Sequence, residues 1–243
     1  MDDSGSMVEQ PAIEADRTPI SGVALRLFTM IGIIGPAFYI AFTTVLGFLW
    51  AGYDPIRDTQ SELGAVDSPY GDLMNVAGFM GLGASMLAFA IAYYLGLRHG
   101  VVHTLAALLL LVAGAGMVVV GLFPCDAACV DVTQTGRLHG AFSAPGAIGL
   151  PLAAMLSASV FRSDRRFSIR WQAVSFWLGL LALASGPIVA ADLVEGANGL
   201  LQRAGMWPPL LWMAAVSAKL YRLTNQHLRG EESRLADRAR PRT

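Results

Sequence analysis

The chain has 243 residues, of which 54% are hydrophobic and only 14% are charged. Soluble domains carry about 25% charged residues, so this composition, with a mean hydropathy of +0.52, excludes an ordinary soluble domain and indicates an integral membrane protein. The formal net charge of −1 does not indicate nucleic acid as a partner, because the charges are segregated by loop and nearly cancel in the sum.

The N-terminal segment, residues 1–22, is polar and contains several serine and acidic side chains. It has no apolar core of its own, and it lacks the basic start and short apolar run of a signal peptide. We therefore expect a disordered cytoplasmic tail and no cleaved signal.

Six apolar stretches follow, each close to or above the roughly 20 residues that cross a bilayer. They cover residues 27–50, 73–97, 103–123, 139–161, 171–191 and 199–221. We expect Pro36 to kink the first stretch and Pro145 and Pro151 to break the fourth. The prediction is an all-α integral membrane bundle of six transmembrane helices at residues 23–223, followed by a charged cytoplasmic tail at 224–243.

The basic residues divide unequally between the two sets of alternate connections. One set carries Arg98, Arg162, Arg165, Arg166, Arg170, Lys219, Arg222 and Arg229, and the other carries only Arg57, Arg137 and Arg203. Basic side chains are enriched on the cytoplasmic side, so we predict a multi-pass protein of the inner (plasma) membrane with both termini cytoplasmic. The predicted outer face then carries Asp54, Asp58, Glu62, Asp67, Asp126, Asp131, Asp192 and Glu195.

Small residues line the second and third stretches, including Gly83 and Ser85 in the second and Gly114 and Gly116 in the third. Helices that meet in lipid depend on close backbone approach, so we interpret these residues as helix-packing positions. The same faces would also serve a homo-oligomer. Membrane lipids are the other expected partners.

The two cysteines, Cys125 and Cys129, have the spacing C-x3-C and fall on the predicted outer side, where thiols can oxidise. We favour a disulfide that holds the loop at Asp126, with free thiols as the alternative. A structural zinc site is disfavoured, because two thiols and one nearby histidine do not complete a closed set of ligands.

Polar residues on the predicted outer side form a candidate catalytic set. Asp58, Ser61 and Glu62 are spaced so that a helix would present all three on one face. With Asp126 and His139 they could form an acid-base or ion-binding cluster.

His139 and Ser143 lie one helical turn apart, which would permit a histidine base and a serine nucleophile. In the alternative interpretation His139 bonds a loop acid and Ser143 bonds its own helix backbone.

Arg203, preceded by Gln202, lies near the outer entrance of the sixth stretch, where basic residues are scarce. An ionisable group at membrane depth is costly and usually has a partner. The partner could be a carboxylate of Asp58, Glu62 or Asp126, or it could be a lipid phosphate, which matches the guanidinium geometry. Both interpretations remain open from the sequence.

Four short motifs, RDTQSELGA, GLFPCD, RLHG and GLLQR, occur in this order. Their order and spacing resemble the bacterial and archaeal membrane family called "domain of unknown function 998", over nearly the whole chain. The resemblance implies a compact six-helix protein whose motif residues gather on the outer side: Asp58, Ser61, Glu62, Gly64, Asp126, His139, Gly140, Gln202 and Arg203. It implies no reaction, and the cofactor stays unknown.

Two functions are therefore expected. The favoured one is an outward-facing pocket in which Arg203 and Gln202 hold a lipid head group or small polar ligand, beside the acidic side chains. The alternative is an intramembrane hydrolase or transferase that acts on a lipid through the histidine, acid and serine residues. A transporter is less favoured, because the middle of the bundle carries almost no charge.

Overall fold

The computed structural model describes residues 19–190 and 193–239. Most of the predicted N-terminal tail, residues 1–18, lies outside the described residues. So do residues 191–192, where the fifth stretch was predicted to end, and residues 240–243 of the predicted C-terminal tail.

The described chain is helical and contains no β-strand in those two ranges. Its long helices are α1 (Pro19–Leu49), α2 (Gly71–Gly96), α3 (Val101–Val120), α4 (Gln134–Ser163), α5 (Ile169–Ala190) and α6 (Asn198–Ala239). The all-α prediction is confirmed, and each helix covers one of the six predicted stretches.

Five of these helices are long and apolar enough to cross a membrane, judged by length and composition. They are α1 to α5. The sixth helix, α6, is not one of the five, since Gln202, Arg203 and Lys219 lower the hydropathy of the predicted sixth stretch, residues 199–221. It also continues well beyond the predicted end of the sixth stretch, and the predicted boundary between bundle and tail lies inside it.

Helix α4 differs from the prediction at its start and in its middle. It begins at Gln134 rather than His139, because the Thr133 side chain accepts a hydrogen bond from the Gly136 amide (3.1 Å) and caps the helix. The expected break at Pro145 and Pro151 is wrong, since both lie inside one continuous helix. In an apolar environment the neighbouring backbone has no alternative to its helical hydrogen bonds, which favours continuation through proline.

Helix α2 contains an irregular turn near its start. After Gly71–Leu73 it passes through a π-helical segment, Met74–Met80, before the regular part Gly81–Gly96. Inside the π segment, the Asn75 side chain donates to the Gly64 carbonyl (3.0 Å) and holds the preceding loop against the helix. Such π segments occur frequently at functional sites.

The helices pack as a closed ring in chain order, in which α6 returns to contact α1. Large side chains fill its centre, among them Phe89 and Trp212, whose rings meet edge to face at 5.7 Å. The Trp212 indole also donates to the buried Ser175 hydroxyl (2.8 Å), which joins α5 to α6. Each helix therefore depends on both of its neighbours for burial.

Since consecutive helices run in opposite directions, the connections alternate between two ends of the ring. We call one end the loop face, formed by residues 50–70, 121–133 and 193–198. The other end carries the arginine-rich turns, where Arg166 pairs with Asp164 (2.6 Å) and also donates to the Gly96 carbonyl (2.9 Å). The irregular polar chain is concentrated at the loop face.

Helices α2 and α3 meet at two glycines, as the small-residue pattern predicted. A Cβ atom at Gly83 would lie 2.5 Å from the Val118 amide nitrogen, and one at Gly114 would lie 2.9 Å from the Leu87 amide nitrogen. These separations are too short for any side chain, so the two backbones must separate if either glycine is replaced.

We expect Gly83→Ala to destabilise the protein by about 1–3 kcal/mol, because the added methyl overpacks a backbone contact. The measurement is the thermal unfolding midpoint in detergent. Gly81→Ala is the matched control, since a Cβ there would have only one neighbour, the Val76 carbonyl oxygen at 3.9 Å. Equal midpoints for the two variants would contradict the close contact.

Candidate ligand-binding site at the loop face

Arg203 lies in the second turn of α6 and is 8% exposed. Its Nη1 atom donates to the main-chain carbonyls of Pro55 (2.6 Å), Asp58 (3.1 Å) and Gly199 (2.9 Å), and its Nη2 atom donates to the Tyr53 hydroxyl. The guanidinium carbon is 5.7 Å from the centre of the Tyr53 ring. One side chain therefore holds the loop after α1 against the start of α6.

The start of α6 makes further backbone contacts with the same loop. The amides of Gly199 and Leu200 donate to the carbonyls of Arg57 (3.1 Å) and Ile56 (2.9 Å). A Cβ atom at Gly199 would lie 2.7 Å from the Pro55 carbonyl oxygen, so only glycine permits this approach. These bonds satisfy amides that a helix start leaves without an intrahelical partner.

None of the three predicted carboxylate partners pairs with Arg203. Asp58 offers only its carbonyl, and its carboxylate accepts from the Asp54 amide (2.7 Å). Glu62 accepts from the amide (2.8 Å) and hydroxyl (3.0 Å) of Thr59. Among the described residues the ion pairs are Arg57 with Asp58 and Arg166 with Asp164, so no described carboxylate forms an ion pair with Arg203.

Gln60, which sequence reasoning passed over, is the centre of the polar network. It is 1% exposed, and its side-chain oxygen accepts from the Trp207 indole (2.9 Å) and from the Thr43 hydroxyl (3.3 Å). The main-chain amide of Gln60 donates to the side-chain oxygen of Gln202 (2.7 Å). The side-chain nitrogen of Gln202 in turn donates to the Ser61 hydroxyl (3.3 Å). In the sequence, the only feature that could have drawn attention to Gln60 is its position inside the motif RDTQSELGA.

Tyr53 connects this network to Arg203. Its hydroxyl accepts from the guanidinium and donates to the carbonyls of Thr59 (2.9 Å) and Asp58 (3.1 Å). Burial raises the pKa of the Tyr53 hydroxyl, and the Arg203 charge opposes this shift without reversing it. Tyr53 therefore stays neutral at physiological pH and does not act as the counter-ion.

Two cavities flank the segment 50–53. The larger one, which we call the Arg203 cavity, has a volume of about 450 Å³ and is lined by Arg203, Trp207 and the last turns of α1. The smaller one, which we call the acidic cavity, measures about 340 Å³ and includes Asp58, Glu62 and Asp67 in its lining. A cationic cavity and an acidic cavity thus share one wall.

The remaining candidate residues lie apart from this site, at the start of α4. The ring nitrogen Nδ1 of His139 donates to the Phe123 carbonyl (2.8 Å), and its Nε2 atom is buried with no hydrogen-bond partner in the described chain. Ser143 donates to the His139 main-chain carbonyl (2.8 Å). This is the backbone bond of the alternative interpretation, and the two side chains are not hydrogen-bonded to each other.

The loop before α4 is shaped by a disulfide and an aspartate. Cys125 and Cys129 are joined, with Cα atoms 4.9 Å apart, and the chain turns between them through positive φ angles at Ala128 (54°) and Cys129 (49°). The Asp126 carboxylate accepts from the amides of Val132 (2.9 Å) and Thr133 (2.7 Å) and from the Thr133 hydroxyl (2.7 Å). These bonds, those from Thr133 foremost, lower the pKa of the Asp126 carboxyl.

The predicted single cluster is therefore divided into two places. Asp58, Ser61, Gln202 and Arg203 come together around Gln60, and Glu62 lines the adjoining acidic cavity. Asp126, His139 and Ser143 belong to the start of α4. The expected helical face of Asp58, Ser61 and Glu62 does not form, because only a short 3-10 turn, Ser61–Gly64, is present there.

The family model described as "Protein of unknown function (DUF998)" matches residues 33–219 of the chain. The chain belongs to this family. The match spans all four motifs quoted above and confirms the resemblance on which they were grouped. A search of the curated proteins and a search of the solved structures each found no match, so an activity must be argued from the site itself.

We expect Gln60→Leu to destabilise the protein by about 1–3 kcal/mol, because the partly buried Trp207 indole and the Thr43 hydroxyl would lose their shared acceptor. The measurement is again the unfolding midpoint in detergent. Gln134→Leu, at the exposed first residue of α4, is the control and should leave the midpoint nearly unchanged. An unaffected midpoint for Gln60→Leu would contradict the central position of this side chain.

Proposed function

We propose that the protein is a six-span membrane protein whose loop face points outward and whose Arg203 cavity binds the phosphate of a lipid head group. The observation that carries this proposal is the buried guanidinium of Arg203, which lines a cavity of about 450 Å³ and has no carboxylate partner among the described residues. Ligand cavities commonly measure about 300–1,000 Å³, so the volume is adequate for a head group.

The chemistry of the cation supports an anionic ligand. Carbonyl oxygens hold Nη1 in place, and Tyr53, which stays neutral, holds Nη2. The Nε atom has no hydrogen-bond partner in ranges 19–190 and 193–239, so one edge of the fork remains available. A phosphate would supply the charge that these neutral groups do not, and guanidinium recognises phosphate through two parallel hydrogen bonds.

The position of the cavity supports a lipid as the source of that phosphate. The lining includes Thr44 and Phe48 on the last turns of α1, and the Phe48 side chain is 83% exposed. Helix α1 is a candidate membrane span, so its exposed apolar surface would lie against acyl chains. A phospholipid could therefore place its chains along α1 and its phosphate at Arg203.

The acidic cavity supports a zwitterionic head group in particular. Asp58, Glu62 and Asp67 lie beyond the shared wall at Trp50 to Tyr53. An ammonium group attached to the bound phosphate would find these carboxylates on the far side of Gly52. A head group with both charges fits this arrangement better than one with a negative charge alone.

Packing supports α6 as the sixth span. It closes the ring between α1 and α5, both of which are candidate spans. Its residues Leu210, Trp212 and Met213 are buried against these neighbours. We infer that a helix packed between two candidate spans crosses the membrane with them, even though its own composition is less apolar.

The distribution of basic residues supports the orientation. The end opposite the loop face carries Arg98, Arg162, Arg165, Arg166 and Arg170, and basic residues mark the cytoplasmic side. We infer that this end is cytoplasmic and that the protein resides in the plasma membrane.

The enzyme alternative lacks a supporting observation. It requires His139 beside a carboxylate and a hydroxyl, whereas the His139 ring donates to a backbone carbonyl. Glu62 and Asp126 are each engaged by other partners. We therefore propose binding rather than turnover for this site.

We expect Arg203→Gln to reduce phospholipid binding at least about tenfold, equivalent to about 1.4 kcal/mol, because the phosphate loses its counter-charge. The measurement is native mass spectrometry of the detergent-extracted protein with added phosphatidylethanolamine, phosphatidylglycerol or diacylglycerol. The wild-type protein should retain both phospholipids, phosphatidylethanolamine more tightly than phosphatidylglycerol, and should not retain the uncharged diacylglycerol.

Two further variants make this test decisive. Arg137→Gln removes an exposed arginine in the first turn of α4, which lines neither cavity, and should leave lipid binding unchanged. Ala51 lines both cavities, so the larger indole of Ala51→Trp should obstruct them without removing a hydrogen bond of Arg203. This variant should weaken lipid binding, and its result can be interpreted even if Arg203→Gln disturbs the loop. Retention of phospholipid by both Arg203→Gln and Ala51→Trp would overturn the proposal.

We expect Asp67→Cys to react with a membrane-impermeant maleimide in intact cells, and Arg165→Cys to react only after permeabilisation. Both side chains are exposed and lie at opposite ends of the ring. The two native cysteines are bonded to each other and should not react with the maleimide, so the wild-type protein is the unlabelled control. The reverse labelling pattern would contradict the proposed orientation.

A further inference from the structure

A second group of chemically active side chains lies at the loop face, outside the Arg203 and acidic cavities. The ligand atoms of Cys125, Cys129 and His139 all lie within 4.8 Å of one another. Cys125 is 1% exposed and His139 is 4% exposed, whereas Cys129 is only partly buried. Two sulfurs and one imidazole nitrogen thus converge at a point that solvent can approach from the Cys129 side.

The imidazole of His139 is held in a fixed orientation. Its Nδ1–H donates to the Phe123 carbonyl (2.8 Å), and its ring packs edge to face against Phe79 at 5.7 Å. In the neutral ring the lone pair then belongs to Nε2, which is buried and has no hydrogen-bond partner in the described part of the chain. Histidines that bind metals usually donate their other ring nitrogen to a carbonyl or carboxylate in this manner.

We propose that the dithiol form of the protein binds a single Zn²⁺ ion through Cys125, Cys129 and His139. Thiolate and imidazole are the preferred ligands of Zn²⁺, and two cysteines with one histidine are a known set of three protein ligands that leaves the fourth position to water. The sequence argument against zinc concerned a closed site with four protein ligands. An open site needs only the three that converge here.

The disulfide form and the metal-bound form exclude each other, because both use the same two sulfurs. A dithiol reductant would transfer two electrons and two protons to the Cys125–Cys129 bond, giving two thiols and leaving the reductant as a disulfide. Zn²⁺ would then displace the two thiol protons and bind the thiolates. Metal binding at this place therefore depends on the redox state of the loop.

The test uses the full chain in detergent, prepared in the disulfide form and in the reduced form. The reductant is removed from the reduced protein under anaerobic conditions. Co²⁺ is the spectroscopic probe, and Zn²⁺ is measured by competition with a chromogenic chelator. We expect one Co²⁺ per chain in the reduced protein, with thiolate-to-cobalt charge-transfer absorption, and no such absorption in the disulfide form. Absence of these bands from the reduced protein, or equal binding by both forms, would overturn the proposal.

Matched histidine variants test the third ligand. His139→Asn keeps a donor close to the position of Nδ1 and removes Nε2, so we expect Zn²⁺ affinity to fall by about tenfold or more. His103→Asn is the control, since His103 is also buried but bonds the Tyr93 carbonyl in another part of the bundle. Equal affinities for the two variants would overturn the assignment of His139.

Two further variants complete the test of the metal site. Cys129→Ser alters only the partly exposed cysteine and should also abolish the charge-transfer band, and retention of that band would count against the site. Arg203→Gln should bind Zn²⁺ as the wild type does. This last expectation separates the metal site from the proposed lipid site, so that either can fail alone.

Discussion

The loop face depends on how the chain satisfies backbone polar groups where α1 and α6 meet. An irregular segment at the edge of a membrane carries carbonyls that must find donors. Arg203 provides donors for two of them, at Pro55 and Asp58, and also for the Gly199 carbonyl of α6 and the Tyr53 hydroxyl. Because the amides of Gly199 and Leu200 bond the same loop, the start of α6 and the chain after α1 form one unit. The position of Tyr53, which lines both cavities, follows from this arrangement.

The two proposed sites of the loop face share the segment between them. The amide of Val66 donates to the Cys125 carbonyl (3.0 Å), and the Cys125 sulfur lies 3.4 Å from the Ser61 carbonyl oxygen. Ser61 in turn accepts from Gln202, the neighbour of Arg203. A rearrangement of the cysteine loop on reduction would therefore act on the residues that line the acidic cavity.

The sequence was sufficient for features that depend on composition and local pattern. These are the all-α class, the order of the helices, and the glycine contact between α2 and α3. It was not sufficient for Gln60, whose bonds to Gln202 and Trp207 join positions more than 140 residues apart in the chain. It also merged two separate groups into one, because a shared face does not determine which loops touch. Proline in α4 was misjudged since helix breaking is weaker where water cannot replace the lost backbone bonds.

Each end of the ring has a well-positioned arginine, but the two arginines have different kinds of hydrogen-bond acceptor. This difference is why we propose a bound ligand for Arg203 and none for Arg166. At the arginine-rich end, Arg166 forms a two-point pair with the Asp164 carboxylate. Burial opposes ionisation of Asp164, but the Arg166 hydrogen bonds outweigh it and lower the pKa of this carboxyl. That charge is neutralised within the chain and needs no ligand.

At the loop face, Arg203 is more deeply buried but is surrounded by carbonyls and a neutral phenol. Fixing a guanidinium in place requires only such neutral acceptors, whereas compensating its charge requires an anion. Where the described chain supplies the first and not the second, next to a cavity, we infer that a bound anion completes the arrangement.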